Sequence, residues 1–354
     1  MNYLRNAWYA AGWSGEIASR SALQRTLLDE TIALFRDESG AVHAIADRCP
    51  HRFAPLSLGK VVGEALQCPY HGLQFDGSGR CVHNPHGNGT IPKAARVPAH
   101  PVVERHGAVW IWMGDPARAD PASIPDFGLF DEDRNYVGRG YLRVEANYRF
   151  GTDNIMDLSH IAYVHGQSLG SDDMRHSESS CEQDGRTIWS RRRNYGEKLP
   201  PAVLGHYRSK PDALWDRSFD VRWDPPASLL LLVGGVPSGQ SLEDKRPLPF
   251  AHLFTPETAT TSHYWFAASY PKELGPKYEA RAQEALAFLA GPFEREDLPM
   301  LQAQQRAVGE RDFWDLKPVM LAGDAAAVRA RRLLDKLIED EREALHTQPS
   351  FAVG

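Results

Sequence analysis

Hydrophobic positions between residue 6 and about residue 116 come in short compact runs rather than at a helical period. Runs at 31–35, 42–46 and 109–113 are apolar or alternating and read as strands. Turn chemistry separates them at Asp37-Glu38-Ser39-Gly40, at Asp76-Gly77-Ser78-Gly79 and across Asn84-Pro85-His86-Gly87-Asn88-Gly89. The pattern predicts a small all-β domain. Pro116, Pro121 and Pro125 then punctuate a polar stretch that marks a domain boundary. Beyond it the pattern mixes. Residues 148–164 look helical, with Gly166 placed to end the helix, and strand-like runs follow at 187–190, 218–223, 229–233 and 263–267. Helices are expected at 277–289, 298–308 and 324–345, the last with Leu333, Leu334, Leu337 and Ile338 on one stripe. Two domains are predicted: all-β at 1–125 and α+β at 126–354.

Composition restricts the function. The 354 residues are 42% hydrophobic and 24% charged, which fits a soluble globular protein. A net charge of −6 argues against broad electrostatic binding to nucleic acid or to an anionic membrane. The best apolar stretch, 228–236, is cut by Gly234 and Pro237 before it could span a bilayer. The first residues lack the basic-then-apolar order of a secretory signal, and four cysteines are too few for a disulfide scaffold. A reducing, cytoplasmic setting is expected. No glycine-rich dinucleotide fingerprint follows a strand, so NAD(P)H would act only through another protein.

Two of the four cysteines change the picture. Cys49-Pro50-His51 and Cys68-Pro69-Tyr70-His71 each place a cysteine and a histidine on one short loop between strand-like runs. Two thiolates and two imidazoles suit tetrahedral zinc or a two-iron cluster of Rieske type. Mixed zinc fingers pair cysteine with cysteine and histidine with histidine along the chain. Here each loop offers one of each, an order that suits a [2Fe–2S] cluster with cysteines on one iron and histidines on the other.

These loops, Cys49-Pro50-His51-Arg52-Phe53-Ala54-Pro55-Leu56-Ser57 and Cys68-Pro69-Tyr70-His71-Gly72-Leu73-Gln74-Phe75-Asp76, resemble the cluster loops of Rieske non-haem iron oxygenases. The run Cys81-Val82-His83-Asn84-Pro85-His86-Gly87 and the opening Arg5-Asn6-Ala7-Trp8-Tyr9 are most similar to the dicamba and vanillate O-demethylase branch. The resemblance extends through nearly the whole chain. It implies a Rieske domain followed by a helix-grip-like α+β catalytic domain with an antiparallel sheet, carrying a mononuclear iron(II). It also implies a homotrimer served by a separate ferredoxin or reductase.

A second polar concentration lies at Asp153-Asn154-Ile155-Met156-Asp157-Leu158-Ser159-His160, with His165 further on. Asn154, Asp157 and His160 recur at steps of three, along one side of a helix. His160 and His165 are five apart, which turns by about 140° in a regular helix. The helix must therefore loosen before Gly166 if both are to meet one ion. Two histidines need an anionic third ligand to make the facial triad of a non-haem iron oxygenase. Composition does not select it from 46 acidic residues. The resemblance does: Phe293-Glu294-Arg295-Glu296-Asp297 is similar to the family's ligand-bearing helix and assigns Asp297, with Pro299 fitting a first helical turn. It further implies that Asp157 orients His160 and joins it to a cluster histidine of the next subunit, and that Asn154 approaches the iron.

For the substrate cavity, the run Leu229-Leu230-Leu231-Leu232 is expected to supply an apolar wall, and Trp265 and Phe266 aromatic faces. His252 matches a substrate-facing histidine of the dicamba enzyme, where a partly charged imidazole would hold a carboxylate or phenolate. Leu231 stands where that enzyme has an asparagine on the substrate carboxylate, which implies a different headgroup arrangement. The resulting expectation is a terminal oxygenase that uses O₂ to O-demethylate a methoxylated aromatic acid. Alternatives are N-dealkylation, ring or methyl hydroxylation, and, from other classes, a Rieske electron carrier or a zinc-bearing binding protein.

Overall fold

The computed structural model of the chain describes residues 3–347 except 167, 208 and 211. It contains two compact units: the residues up to Pro125 together with Thr255–Ala259, and those from Asp126 to Phe254 together with Thr260 onward.

The first unit is built from β1 (Trp8–Trp13), β2 (Ala22–Leu27), β3 (Glu30–Arg36), β4 (Val42–Ala46), β5 (Lys60–Val62), β6 (Ala65–Gln67), β7 (Gln74–Asp76), β8 (Cys81–His83), β9 (Ala99–His100), β10 (Val102–Arg105) and β11 (Ala108–Trp112). They form three small sheets, ordered β1-β11-β10, β2-β3-β4-β9 and β5-β6-β7-β8. Phe35, Leu66 and Phe75 are wholly buried and pack in one core cluster with Cys49 and Cys68. The cysteine loops thus have a rigid apolar floor beneath them. The Cys49 loop links β4 to β5 and the Cys68 loop links β6 to β7.

The second unit carries β12 (Asn135–Val144), β13 (Glu178–Asp184), β14 (Thr187–Lys198), β15 (Leu214–Asp224), β16 (Ser228–Pro237), β17 (Leu248–Pro256) and β18 (Ser262–Pro271). They make one antiparallel sheet in the order β12-β18-β17-β16-β15-β14-β13. Its helices are α1 (Tyr148–Met156), α2 (Ile161–Val164), α3 (Pro201–Tyr207), α4 (Lys277–Pro292), α5 (Leu298–Val308) and α6 (Ala325–Thr347). α4 packs on β12 and β18, the helix-against-sheet arrangement of a helix-grip fold. Gly138 in β12 permits that approach, because a Cβ there would lie 2.7 Å from the Ala282 carbonyl oxygen. No helix among the described residues is long and apolar enough to cross a membrane.

The expected continuous helix at 148–164 is broken. Asp157 is extended (φ −119°, ψ 94°), and a 3₁₀ turn at Leu158–His160 leads into α2. The cause is local: the Asp157 carboxylate accepts from Ser159 N at 3.0 Å and Ser159 Oγ at 2.9 Å, starting a new helical turn. α1 is fixed from outside by α6, through Arg331 on Asp153 at 2.6 Å and Arg149 on Asp335 at 2.5 Å. Between α4 and α5 the residues Phe293–Asp297 form a π-helical turn, with Pro299 in the first turn of α5 as expected.

Candidate functional site

In the first unit the two Cys-His loops are built alike. Cys49 N donates to Ala54 O and Phe53 N to Cys49 O; Cys68 N donates to Leu73 O and Gly72 N to Cys68 O, all within 3.1 Å. The residue four after each cysteine is left-handed: Phe53 at φ 61° and Gly72 at φ 75°. For phenylalanine that backbone is strained, and the side chain lies 68% exposed. Both cysteines are buried and free of disulfides. Burial raises the Cys49 thiol to about 11, with Cys68 beside it adding to the shift. The imidazoles of His51 and His71 lie with ring centroids 4.6 Å apart. Two buried thiols side by side and two adjoining imidazoles are the donor set that a [2Fe–2S] Rieske cluster requires.

In the second unit the break at Asp157 brings both later histidines onto one carboxylate. His165 Nε2 is 3.1 Å from Asp297 Oδ2, and His160 Nε2 is 3.5 Å from Asp297 Oδ1. One ligand atom from each of the three residues lies within 4.8 Å of the others. The other ring nitrogens are tethered. His160 Nδ1 meets the backbone carbonyl of Asp157 at 2.8 Å, and His165 Nδ1 meets Glu296 Oε2 at 2.5 Å. Asn154 Nδ2 donates to Asp297 Oδ1 at 2.9 Å, so Asn154 orients the carboxylate. Burial lowers the pKa of His160. For His165 burial acts the same way, but Asp297 and Glu296 outweigh it and the pKa rises. Two imidazoles and one carboxylate converging with outer nitrogens anchored fit a facial iron(II) site.

Two expectations are corrected here. The carboxylate of Asp157 does not orient His160; its backbone carbonyl does. The carboxylate instead pairs with Arg192 Nη2 at 3.0 Å. Trp265 does not line the cavity beside the triad: it is fully buried and packs between Tyr141 and His263. Alternation along β18 puts its neighbour Tyr264 on the other side, with its ring against Phe293 and its hydroxyl 2.7 Å from His252 Nδ1.

The cavity holds about 130 Å³ and has Asn154, His160, His165 and Asp297 in its wall. Leu231, Val233, Phe219, Phe250 and Phe288 make most of the rest apolar. Of the four-leucine run only Leu231 lines it: alternation turns Leu230 and Leu232 away, and Leu229, on the Leu231 face and paired with His252, lies outside the lining. His252 also lines it, but burial drives this ring down to about 3, so it is neutral near pH 7 rather than partly charged. A second cavity of about 290 Å³ reaches Asn154, His160 and Asp297 together with Asp157.

The chain matches two families. Residues 7–99 match the Rieske [2Fe-2S] domain, and residues 144–340 match the vanillate O-demethylase oxygenase C-terminal domain. The oxygenase component of chloroacetanilide N-alkylformylase from Rhizorhabdus wittichii (strain DC-6 / KACC 16600) is 39% identical over 346 residues, 96% of this chain and 97% of that one. A crystal structure of dicamba monooxygenase bound to 3,6-dichlorosalicylic acid matches with a TM-score of 0.89 at 38% identity, covering 97% of this chain and 99% of the other. The same enzyme with non-heme iron and dicamba matches at 0.77 and 37%, covering 97% and 100%. The chain therefore belongs to the Rieske non-haem iron oxygenases of the vanillate O-demethylase type. It is an oxygenase component, an oxidoreductase whose cofactors are a Rieske [2Fe–2S] cluster and a mononuclear iron.

Two polar residues of the second site, Glu296 and Arg192, also stand out along the chain. Glu296 precedes Asp297 directly and also accepts from Ser168 Oγ at 2.7 Å. Arg192 is the middle of the run Arg191-Arg192-Arg193 in β14. Its neighbours both face Asp220, at 3.4 and 2.7 Å, so alternation turns Arg192 the other way, toward Asp157. Glu296→Gln is expected to weaken iron binding about tenfold to a hundredfold, because it removes the anionic acceptor on His165. Iron titration of the metal-depleted protein, read against an unchanged cluster spectrum, measures this; an unaltered affinity would assign Glu296 to packing alone.

Proposed function

We propose that this oxygenase component O-demethylates a methoxylated aromatic acid, with electrons originating from NAD(P)H and delivered by a separate reductase or ferredoxin. The observation that carries the reading is the convergence of His160, His165 and Asp297 on the wall of a largely apolar cavity. In this reading Cys49 and Cys68 hold one iron of the cluster, His51 and His71 the other, and the triad holds the mononuclear iron. The cluster would deliver electrons singly, and the mononuclear iron would supply the reduction of O₂. The chain's own residues do the rest. Asn154 and Glu296 fix the ligands, and the apolar wall excludes water and presents one substrate carbon to the triad.

The chemistry balances as one O₂, two electrons and two protons per turnover. One oxygen atom enters a methyl C–H bond and the other leaves as water. The resulting hemiacetal collapses to a phenol and formaldehyde.

Asp157 is the proposed electron bridge, between His160 and His71 of the partner subunit in a cyclic trimer. Two sets of exposed apolar side chains support it. Tyr70, beside His71, is 62% exposed, and Met300 and Val319, which rim the cavity containing Asp157, are 50% and 85% exposed. N-dealkylation is the second reading, favoured by the N-alkylformylase relative.

The test is oxygen uptake, NADH oxidation and formaldehyde release with a generic reductase across methoxybenzoates, phenolic ethers and N-alkyl anilides. Equal amounts of O₂, NADH and formaldehyde with a methoxyarene are expected. Substrate-dependent O₂ uptake with a hydroxylated product and no aldehyde would replace demethylation by hydroxylation.

A further inference from the structure

We infer that the cavity ends in an anion-binding subsite centred on Arg246, so that the substrate is an arene whose carboxylate or sulfonate lies across the ring from the carbon that is oxidised. The inference rests on the proposed function for which end of the cavity reacts.

The strand register orders the wall. Directly opposed residues share a face, and every second residue continues it. His252 is paired with Leu229, Phe250 with Leu231, Leu248 with Val233, Phe219 with Val233, and Arg217 with Gly235. Along β17 the wall therefore steps from His252 through Phe250 to Leu248, and Arg246 lies two residues further on. Four residue steps take His252 to Leu248, about 13 Å. His252 lines the cavity with Asp297, and its partner Tyr264 packs on Phe293 in the turn that ends at Asp297, so it marks the reacting end. Arg217 and Arg246, both in the cavity lining, mark the other.

That other end is constructed to hold cations. Arg217 is 5% exposed, and its Nε has no hydrogen-bond partner. A Cβ on Gly235 would lie 3.1 Å from Arg217 Cγ and 3.2 Å from the Tyr207 hydroxyl, and one on Gly234 would lie 2.7 Å from Lys245 Cδ. The glycine pair thus makes room for basic side chains. The charges are not equally answered. Arg217 Nη1 is bound to Glu197 at 3.0 Å, and Lys245 leans toward Asp220 at 3.9 Å. Arg246 is exposed, and among the described residues no carboxylate pairs with it. One unanswered guanidinium at the end of a largely apolar cavity selects for an anion, and its planar fork suits a carboxylate or sulfonate.

The reacting end offers an anion nothing comparable. Leu231 has no polar atom there and His252 is neutral, so an acid group ortho to the oxidised substituent would meet no cation, only the unpartnered His252 Nε2. A para acid points along the wall toward Arg246.

Calorimetric binding to the iron-loaded, cluster-bearing protein tests this without turnover, using 4-methoxybenzoate, 4-methoxybenzamide and 2-methoxybenzoate. The para acid is expected to bind about tenfold to a hundredfold tighter than the amide and the ortho acid. Arg246→Met should erase that preference while leaving iron content and the cluster spectrum unchanged, and Arg246→Lys should restore part of it. Equal affinities in the unaltered protein, binding of none of the three, or a preference that survives Arg246→Met would each overturn the subsite. Anion preference without formaldehyde release would leave the subsite standing and sink the demethylation reading instead.

Discussion

Asp297→Ala is expected to reduce substrate-dependent product formation by more than about a thousandfold, a barrier increase of about 4 kcal/mol, while the visible spectrum of the cluster stays intact. Asp297 is the one anionic member of the converging set. His165 Nε2 and His160 Nε2 both face it, at 3.1 and 3.5 Å, and Asn154 holds it at 2.9 Å. Without it, two imidazoles remain to hold a dication in a cavity with apolar walls, and the charge that favours iron(II) is lost. The cluster loops belong to the other compact unit, whose core does not include Asp297. Product formation measured with excess reductase, beside the absorption spectrum, checks both halves. Retention of more than about a tenth of the activity would remove Asp297 from the iron site.

Asp157→Asn is expected to be the second largest effect, slowing oxidation of the reduced cluster by about a hundredfold or more with iron and cluster both present. Asparagine keeps the acceptor that starts the turn at Ser159, and with it the backbone break on which the triad geometry depends. It removes the negative charge of the proposed bridge. It also leaves Arg192, 8% exposed, without its counter-ion, which costs about 3 kcal/mol of stability. The two consequences separate in the double variant Asp157→Asn/Arg192→Met. Stability should recover there, because the orphaned charge is gone, whereas electron transfer should not. Stopped-flow oxidation of the reduced cluster with O₂ and substrate, set beside the melting temperature, distinguishes them. Recovery of both together would reduce Asp157 to a structural ion pair.

The parts of the site most legible along the chain are those whose donors are neighbours. Each cluster loop carries a cysteine and a histidine within three residues, so its chemistry needs no knowledge of the fold. His160 and His165 are legible as a pair, but the loosening that their spacing calls for does not fall between them: Ile161–Val164 stay helical, and His165 N donates to Ile161 O at 3.2 Å. The break, at Asp157, depends on how that carboxylate turns back to Ser159, and an Asp-x-Ser pattern does not announce it inside an otherwise helical stretch. Asp297 is distant in sequence and became assignable only through family resemblance.

Strands were harder to read than helices. β12 has glycines at 138 and 140 where close approach of α4 and of the Phe266 ring leaves no room for Cβ, and glycine reads as a strand breaker. β17 is buried at every position and so has no alternation to detect. Alternation also states which residues share a face without saying which face meets the cavity. That is why Trp265 was expected in the cavity wall and Tyr264, which holds His252, was not.

The central claim is that this chain carries two iron centres, a cluster in the first unit and a mononuclear iron in the second. Iron and acid-labile sulfide per chain, measured on anaerobically prepared protein beside Asp297→Ala, test it most directly. The account requires about three irons and two sulfides in the unaltered protein, and about two irons with two sulfides in the variant. Equal iron in the two proteins, or one iron or fewer in the unaltered chain, would contradict it.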